Sequence, residues 1–481
     1  MMAGLAFTRP ADQMLGKNQS QPALFQVVDI EALVPANHRL RKIDAVLDLS
    51  FVRAAVAECY STSRGRPSID PELALRMMLL GRLYDLGDRE LCDEIGMHVG
   101  MRWFCGLNLQ DPVPDHSTLS RLKNERWGQS GLFQRLFDEV VRQCAEAGLV
   151  SGRHVSVDGS EVRANASMKS LRPIEVSRPH GSGDEPESGG AAAKEPQPRG
   201  GWTGHGVKYG NQTHRSTSDP EARLYRKGKT KEAKLCYLMN DLIDTKSRVI
   251  LSRKVSEAHS SSERRVCVEM LDEVLAKKAA LALPNRPEVA SLDAGYGTGE
   301  CAADLLDRGV LPHMPLQAGD KMEAVPTWKR CTRDLPQYRK RREKVRVAMA
   351  RNRVRELQKT RGYQVSRRLR VRSEHTFAEA KTRHGMGRAR TRGRQRVQVE
   401  AELTAVVQNL KRLAAYRGRR RPGQVQAEIA ARRQHSCPRA ARLIRRARGR
   451  AASTSWSLTS QDQNALTLRT AFFNRLLALR R

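Results

Sequence analysis

The chain has 481 residues, enough for a substantial core and for two or three domains, and carries 86 Lys and Arg against 52 Asp and Glu, a formal charge of +34 with a pI near 10.5. Such an excess repels itself unless a polyanion shares its field, so nucleic acid is the first partner expected. No run of 18 apolar residues, signal-peptide core or lipidation box occurs, which sets membranes and secretion aside; aromatics at 5% argue against base stacking as the main mode of contact.

Nine cysteines lie singly, none as Cys-x-x-Cys, a pattern expected of reduced thiols rather than a zinc site. Residues 1–26 show no period and are expected to be loose. Residues 27–150 read as a helical domain for DNA binding or multimerisation. Asp70-Pro71-Glu72 is a helix start, with Asp70 as N-cap and Pro71 in the first turn, and Leu73, Met77, Leu80 and Tyr84 follow at helical spacing. Gly87-Asp88 breaks that pattern, and Leu91, Cys92 and Ile95 begin another short helix. A third start lies at Asp115-His116-Ser117, capped by Asp115 or Ser117, with Arg121 and Lys123 behind it as candidate DNA contacts. Leu132, Phe133, Leu136, Phe137, Val140, Val141 and Cys144 mark the clearest amphipathic helix of this region. Short capped helices with basic faces suit a helix-turn-helix-like reader, or an all-helical packing module with solvated basic faces.

At His154 the period changes. His154 to Gly159 alternates as a strand and delivers Asp158 beside a glycine. Residues 172–219 are rich in Gly, Pro, Ser and charge and read as a loop or disordered insertion. Strands are expected at 233–238 and 249–251, separated by a break at 241–247, then a helix through Val266, Met270 and Val274. Pro287 to Asp293 is the next strand, ending on an acid followed by Gly295, Gly297 and Gly299, which would turn the chain away so that a DNA backbone can approach. Residues 333–361 are a basic stretch without a proper apolar face, either solvated or phosphate-facing. Val399, Leu403, Val406, Leu410 and Leu413 form a helix expected to pack on the sheet, and residues 416–481 read as a basic tail with a terminal helix. The order predicts an α/β (mixed) fold with a partly antiparallel sheet, preceded by an all-helical N-terminal domain.

Asp158 and Asp293 lie about 135 residues apart; on neighbouring strands both carboxylates would emerge at one sheet edge, as strand-end acids do. A third acid would allow two divalent metals, the usual device of a phosphoryl-transfer site. Glu374, in Arg370-Val371-Arg372-Ser373-Glu374, supplies one, and Lys381, seven residues on, shares its face if the segment is helical. Glu379 falls on another face and is the weaker candidate. Each acid alone also has an ordinary reading, as a turn residue or as part of a solvated helix face.

Together these stretches resemble the DDE-class transposases of bacterial insertion sequences. His116-Ser117-Thr118-Leu119-Ser120-Arg121 is similar to the end of the group's N-terminal helical domain. Asp158-Gly159-Ser160 with Ala164-Asn165-Ala166-Ser167 is similar to the segment of its first catalytic aspartate, and Asp293-Ala294-Gly295-Tyr296 to that of its second. Residues 217–228 with Lys231-Glu232-Ala233-Lys234 resemble its second and third strands, and Arg370, Glu374 and Lys381 its arginine, glutamate and lysine signature. The signature's tyrosine, three positions before the arginine, is absent: residue 367 is Arg, and Tyr363 lies seven before Arg370. The resemblance spans about residues 25–415 and implies an RNase H-like mixed sheet over 151–415. It implies that Asp158, Asp293 and Glu374 are catalytic and bind two Mg²⁺ ions, with Mn²⁺ as a substitute, and that Arg370 and Lys381 assist at the element's end; Arg372, beside them, is a further candidate DNA contact. The implied partners are double-stranded DNA, both the element's terminal inverted repeats and the target, and further copies of the chain in the DNA complex. The expected location is the bacterial cytoplasm, at the nucleoid. The rival readings are a DNA-binding protein without chemistry that occupies the ends, and an RNase H-like nuclease without strand transfer.

Overall fold

The computed structural model describes residues 29–61, 68–174, 202–204, 207–226, 228, 230–259, 262–319, 321–325 and 336–418. The readings of residues 1–26, of the terminal tail beyond 418 and of the insertion between 175 and 201 lie outside these.

The N-terminal segment is helical: α1 (Ile30–Leu33), α2 (Arg39–Asp44), α3 (Val52–Val56), α4 (Pro71–Tyr84), α5 (Asp88–Met97), α6 (Val99–Cys105), α7 (His116–Arg121) and α8 (Leu132–Glu146). The expected caps are in place. Asp70 accepts from the Glu72 N–H with Pro71 behind it, and Asp115, not Ser117, caps α7. α4 ends where Asp85 takes a left-handed conformation, at φ 61°, just ahead of the predicted break at Gly87-Asp88. α8 buries Leu132, Phe133, Leu136, Phe137, Val140, Val141 and Cys144 as a stripe; each fully buried side chain of this size contributes about 1.5–3 kcal/mol. That stripe joins Val155, Val157 and Ile250 of the sheet and Leu403 and Leu410 of the last helix in one continuous core.

The sheet is built from β1 (His154–Arg163), β6 (Arg223–Tyr225), β7 (Lys234–Asp244), β8 (Ile250–Glu257), β9 (Val289–Ser291) and β10 (Leu311–His313). β1 lies between antiparallel β7 and parallel β9, and β10 extends the parallel side. β6 and β8 pair in succession along the outer edge of β7. Two small ribbons complete the described strands: β2 (Leu171–Pro173) with β5 (His214–Ser216), and β3 (Trp202–Gly204) with β4 (Val207–Tyr209). Parts of the presumed insertion are therefore paired strand.

The helices after the sheet begins are α9 (Ser262–Ala276), α10 (Gly299–Asp307), α11 (Pro336–Gln358), α12 (Arg361–Leu369), α13 (Val371–Arg383) and α14 (Arg394–Arg417). The C-terminal half of α11 buries Val347, Ala350, Val354 and Leu357, while Arg339, Lys340, Arg341, Arg342 and Lys344 of its N-terminal half are exposed. The basic stretch thus has an apolar face over half its length only.

Two sequence expectations are corrected here. β7 runs on to Asp244, into the predicted break, and the chain turns only at Thr245, because the strand's polar residues find distant partners. Asp241 is fully buried and receives both Nε and Nη2 of Arg253 at 2.6 Å, while Arg253 also donates to Gln408 Oε1 and the Ala401 carbonyl on α14. Nor does β1 end at its aspartate: the strand continues to Arg163, so Asp158 stands mid-strand.

Candidate active site

The register builds the site. Ser156 of β1 pairs with Ser291 of β9, so Asp158 and Asp293, each two residues further along parallel strands, reach the same rank. Asp293 lies just past β9, where its side chain accepts from the Gly295 N–H and caps a 3-10 turn at Ala294–Tyr296. Two of the glycines after it, Gly297 and Gly299, are required by the packing of the protein itself. A Cβ on Gly297 would fall 2.0 Å from the Pro315 carbonyl oxygen, and one on Gly299 2.5 Å from Val347 on α11.

α12 and α13 cover this edge from one face. Ser366 on α12 shares its hydroxyl with His313 Nδ1 at 2.6 Å and His154 Nε2 at 3.1 Å, and its carbonyl accepts from Ser291 Oγ at 3.3 Å. Burial first, and then the neighbouring His154, push His313 down to about 4, so the anchor is neutral at physiological pH. Tyr363 packs edge-on against His313, with ring centroids 5.9 Å apart, and so belongs to this anchor.

With α12 pinned, α13 places Ser373 Oγ 3.3 Å from Asp158 Oδ2 and Arg370 Nη1 3.7 Å from Asp293 Oδ2. Glu374 follows Ser373 directly and is exposed. Asp158 is raised to about 6, first by burial, against the Gly159 N–H that bonds it; the Asp293 charge adds to the rise, and Arg370 and Ser373 oppose it.

Glu379 does not join these acids. It accepts from Lys411, Arg412 Nη2 (2.9 Å) and Gln408 Nε2 (3.2 Å) on α14, an interior staple. Burial alone would raise its carboxyl, but His384, Arg412 and Lys411 hold it well below the usual carboxylate range. Lys123 is buried, and its ammonium sits 2.9 Å from both oxygens of Asp88, inside the helical segment. Arg121 is exposed and Lys381 half-exposed. Arg372 donates to the carbonyls of Thr245 (2.7 Å) and Lys246 (3.0 Å), fastening α13 to the β7–β8 turn.

Sequence reasoning missed Glu263, in the first turn of α9 on the other face of β1. The point where a Cβ on Gly159 would stand is 2.9 Å from Glu263 Oε1, and the corresponding point on Gly295 is 3.2 Å from Asp293 Oδ1 and 3.9 Å from Glu263 Oε2. A glycine in mid-strand was the available signal, since it marks close approach of another group.

Among the described residues, no three His, Cys, Asp or Glu side chains stand grouped closely enough to hold a metal ion as placed. The donor chemistry nonetheless suits a hard divalent cation: Asp158, Asp293 and Glu374 offer only oxygen, and the buried Tyr296 hydroxyl, which feels the charges of Asp158 and Asp293, has no hydrogen-bond partner.

A central strand carrying one acid, a parallel neighbour carrying the next and antiparallel strands beyond define an RNase H-like sheet. Two family models match the sequence, a transposase domain (DUF772) over residues 28–125 and a transposase DDE domain over residues 187–410. No solved structure matches the chain. The protein belongs to the DDE-class transposases of insertion sequences. The second match begins after Asp158, which the sheet register nevertheless sets beside Asp293.

Proposed function

We propose that this transposase cuts DNA at the inverted-repeat ends of its element and joins the freed 3′-hydroxyls to target DNA, with Asp158, Asp293 and Glu374 as its catalytic acids. The observation that carries this reading is the convergence of β1, the β9 end and α13: one register brings the two aspartates level, and one helix contacts both through Ser373 and Arg370. Asp158, Asp293 and Glu374 would hold divalent metal, which when bound neutralises charge on the reacting phosphate and favours an oxygen nucleophile.

The protein's own residues do the rest. Ser373 orients Asp158, and Arg370, half-exposed beside Asp293, offers a forked cation to a phosphate. The Ser366 anchor fixes where α13 begins, and hence where Glu374 stands. Lys381 lies two turns further along the same helix, within reach of the next phosphates. The exposed cations of α11 and Arg121 supply a sequence-independent grip, and several copies of the chain would bring two DNA ends together.

The test uses full-length protein with DNA carrying the element's terminal repeats. Mg²⁺-dependent nicking at the repeat ends, lost in Asp293→Asn, is expected; strand transfer from pre-cleaved ends should be lost with it. Binding of the ends without nicking would favour the protein without chemistry, and nicking without transfer would favour a nuclease.

A further inference from the structure

Resting on the reading of Asp158 and Asp293 as metal ligands, we infer that Glu263 is a fourth carboxylate of that site, facing the divalent cation directly or through its water. Glu263 reaches it from α9, on the face of β1 opposite α13. Its Oε1 lies 2.9 Å from the position a Cβ on Gly159 would take, and its Oε2 and Asp293 Oδ1 both lie within 4 Å of the position a Cβ on Gly295 would take. Gly159 and Gly295, which follow the two aspartates, thus leave room for Glu263, and Gly295 leaves it between Glu263 and Asp293. Mg²⁺ keeps several of its waters, so carboxylates several ångströms apart can share one ion's hydration shell.

Two buried polar atoms independently call for a ligand here. Asn240, fully buried on β7, donates its amide hydrogens to the Lys254 carbonyl (3.2 Å) and Ser256 Oγ (3.1 Å), which fixes which end of the amide points onward. Its Oδ1 then faces the Glu263 carboxylate, 3.1 Å from the Gly159 Cβ position, and has no partner. Asn240 Oδ1 is thus a buried acceptor without a donor, set beside a carboxylate, an arrangement that a cation or its bound water relieves. The second atom is the Tyr296 hydroxyl, buried and unpartnered, which feels Glu263, Asp158 and Asp293 together. The ordinary role of a first-turn acid, favourable interaction with the α9 N-terminus, accounts for neither atom.

The probe is Mn²⁺ binding to the full chain by isothermal titration calorimetry, alongside thermal melts without metal. Glu263→Gln is expected to weaken Mn²⁺ affinity by about tenfold or more, while Glu269→Gln, exposed on the same helix and paired with Arg265, leaves it unchanged. Gly159→Ala is the second variant. It keeps the charge but moves the flexible carboxylate aside, and it should weaken Mn²⁺ in the same direction, which preserves the test if Glu263→Gln does not fold. Wild-type affinity in the folded Glu263 or Gly159 variant, with Asp293→Asn deficient, overturns the inference alone. Wild-type affinity in Asp293→Asn as well overturns the reading on which it rests.

Discussion

Asp158 and Asp241 face each other across β1 and β7 on one rung of the sheet, yet their surroundings differ in every respect. Asp241 is sealed from water and held by a two-pronged ion pair with Arg253, whose remaining hydrogens go to α14. Asp158 has only a backbone N–H and a serine hydroxyl, another acid at its own rank, and a carboxyl raised to about 6. An acid satisfied by protein is a structural part; one left near other acids is poised for something the protein does not contain. The same contrast separates Glu379, stapled to Lys411 and Arg412, from Glu374 five residues earlier on the same helix.

The contrast breaks first at Asp293. Asp293→Asn should lower metal-dependent nicking by roughly a thousandfold or more, because several kcal/mol of charge stabilisation are lost at the reacting phosphate. Its melting temperature should stay at or above that of the wild type, since the change relieves repulsion among acids. A variant that cleaves normally, or that melts early, would move Asp293 into Asp241's class.

Asp241→Ala is the converse. Removing it leaves the Arg253 guanidinium buried without its counter-charge, which typically costs about 3–5 kcal/mol. Urea denaturation of the full chain should show that loss, whereas an unchanged midpoint would mean that the pair adds nothing to the fold.

Between these lies Ser366→Ala, which removes the hydroxyl shared by His154 and His313 and leaves buried nitrogens unpaired, at about 1–3 kcal/mol. Nicking should fall further than stability explains, because α13 starts five residues later and carries Glu374. A loss of stability with unchanged turnover would mean that α13 is positioned by Arg372 and Gln408 instead.

What could be read from sequence follows how far each residue's partners lie along the chain. Asp70 caps a helix start two residues away and Asp115 does the same, so both starts were legible. The acids at 158 and 293 stood out because strand patterning around each is local, although only the register of the parallel pair, and not a strand end at Asp158, sets them level. β7 was not: Asn240, Asp241 and Asp244 look like a loop until Arg253, Gln408 and the Ser247 turn supply partners from elsewhere. The three-residue strands β6 and β10 are too short to show a period. The partner of Lys123 was not legible, because Asp88 lies 35 residues upstream. Glu263 resembled an ordinary first-turn acid, and only Gly159, a glycine kept inside a strand, hinted at its reach.

A last acid tests whether buried and unpaired always means functional. Glu402 on α14 is buried away from the sheet edge, accepts from Gln398 Nε2 at 2.9 Å, and is raised to about 7 from its ordinary 4.5. Burial is the first cause; Asp138 and Glu273 add to it, and Gln398 and Lys277 oppose it. The folded state therefore holds this proton more tightly than the unfolded chain does. The stability that comes with the proton is complete below pH 4.5, falls as pH rises from 4.5 to 7, and is gone above that. Glu402→Gln keeps the neutral shape at every pH. It should match the wild type near pH 4 and exceed it by about 1–3 kcal/mol at pH 8, read as a pH-dependent gap between two urea midpoints. Its nicking activity should be unchanged. A gap that does not vary with pH would mean the carboxylate is already compensated by Lys277. A loss of nicking would instead make burial without a partner a functional mark here too, and the distinction between the two faces of the sheet would have to be redrawn around α14.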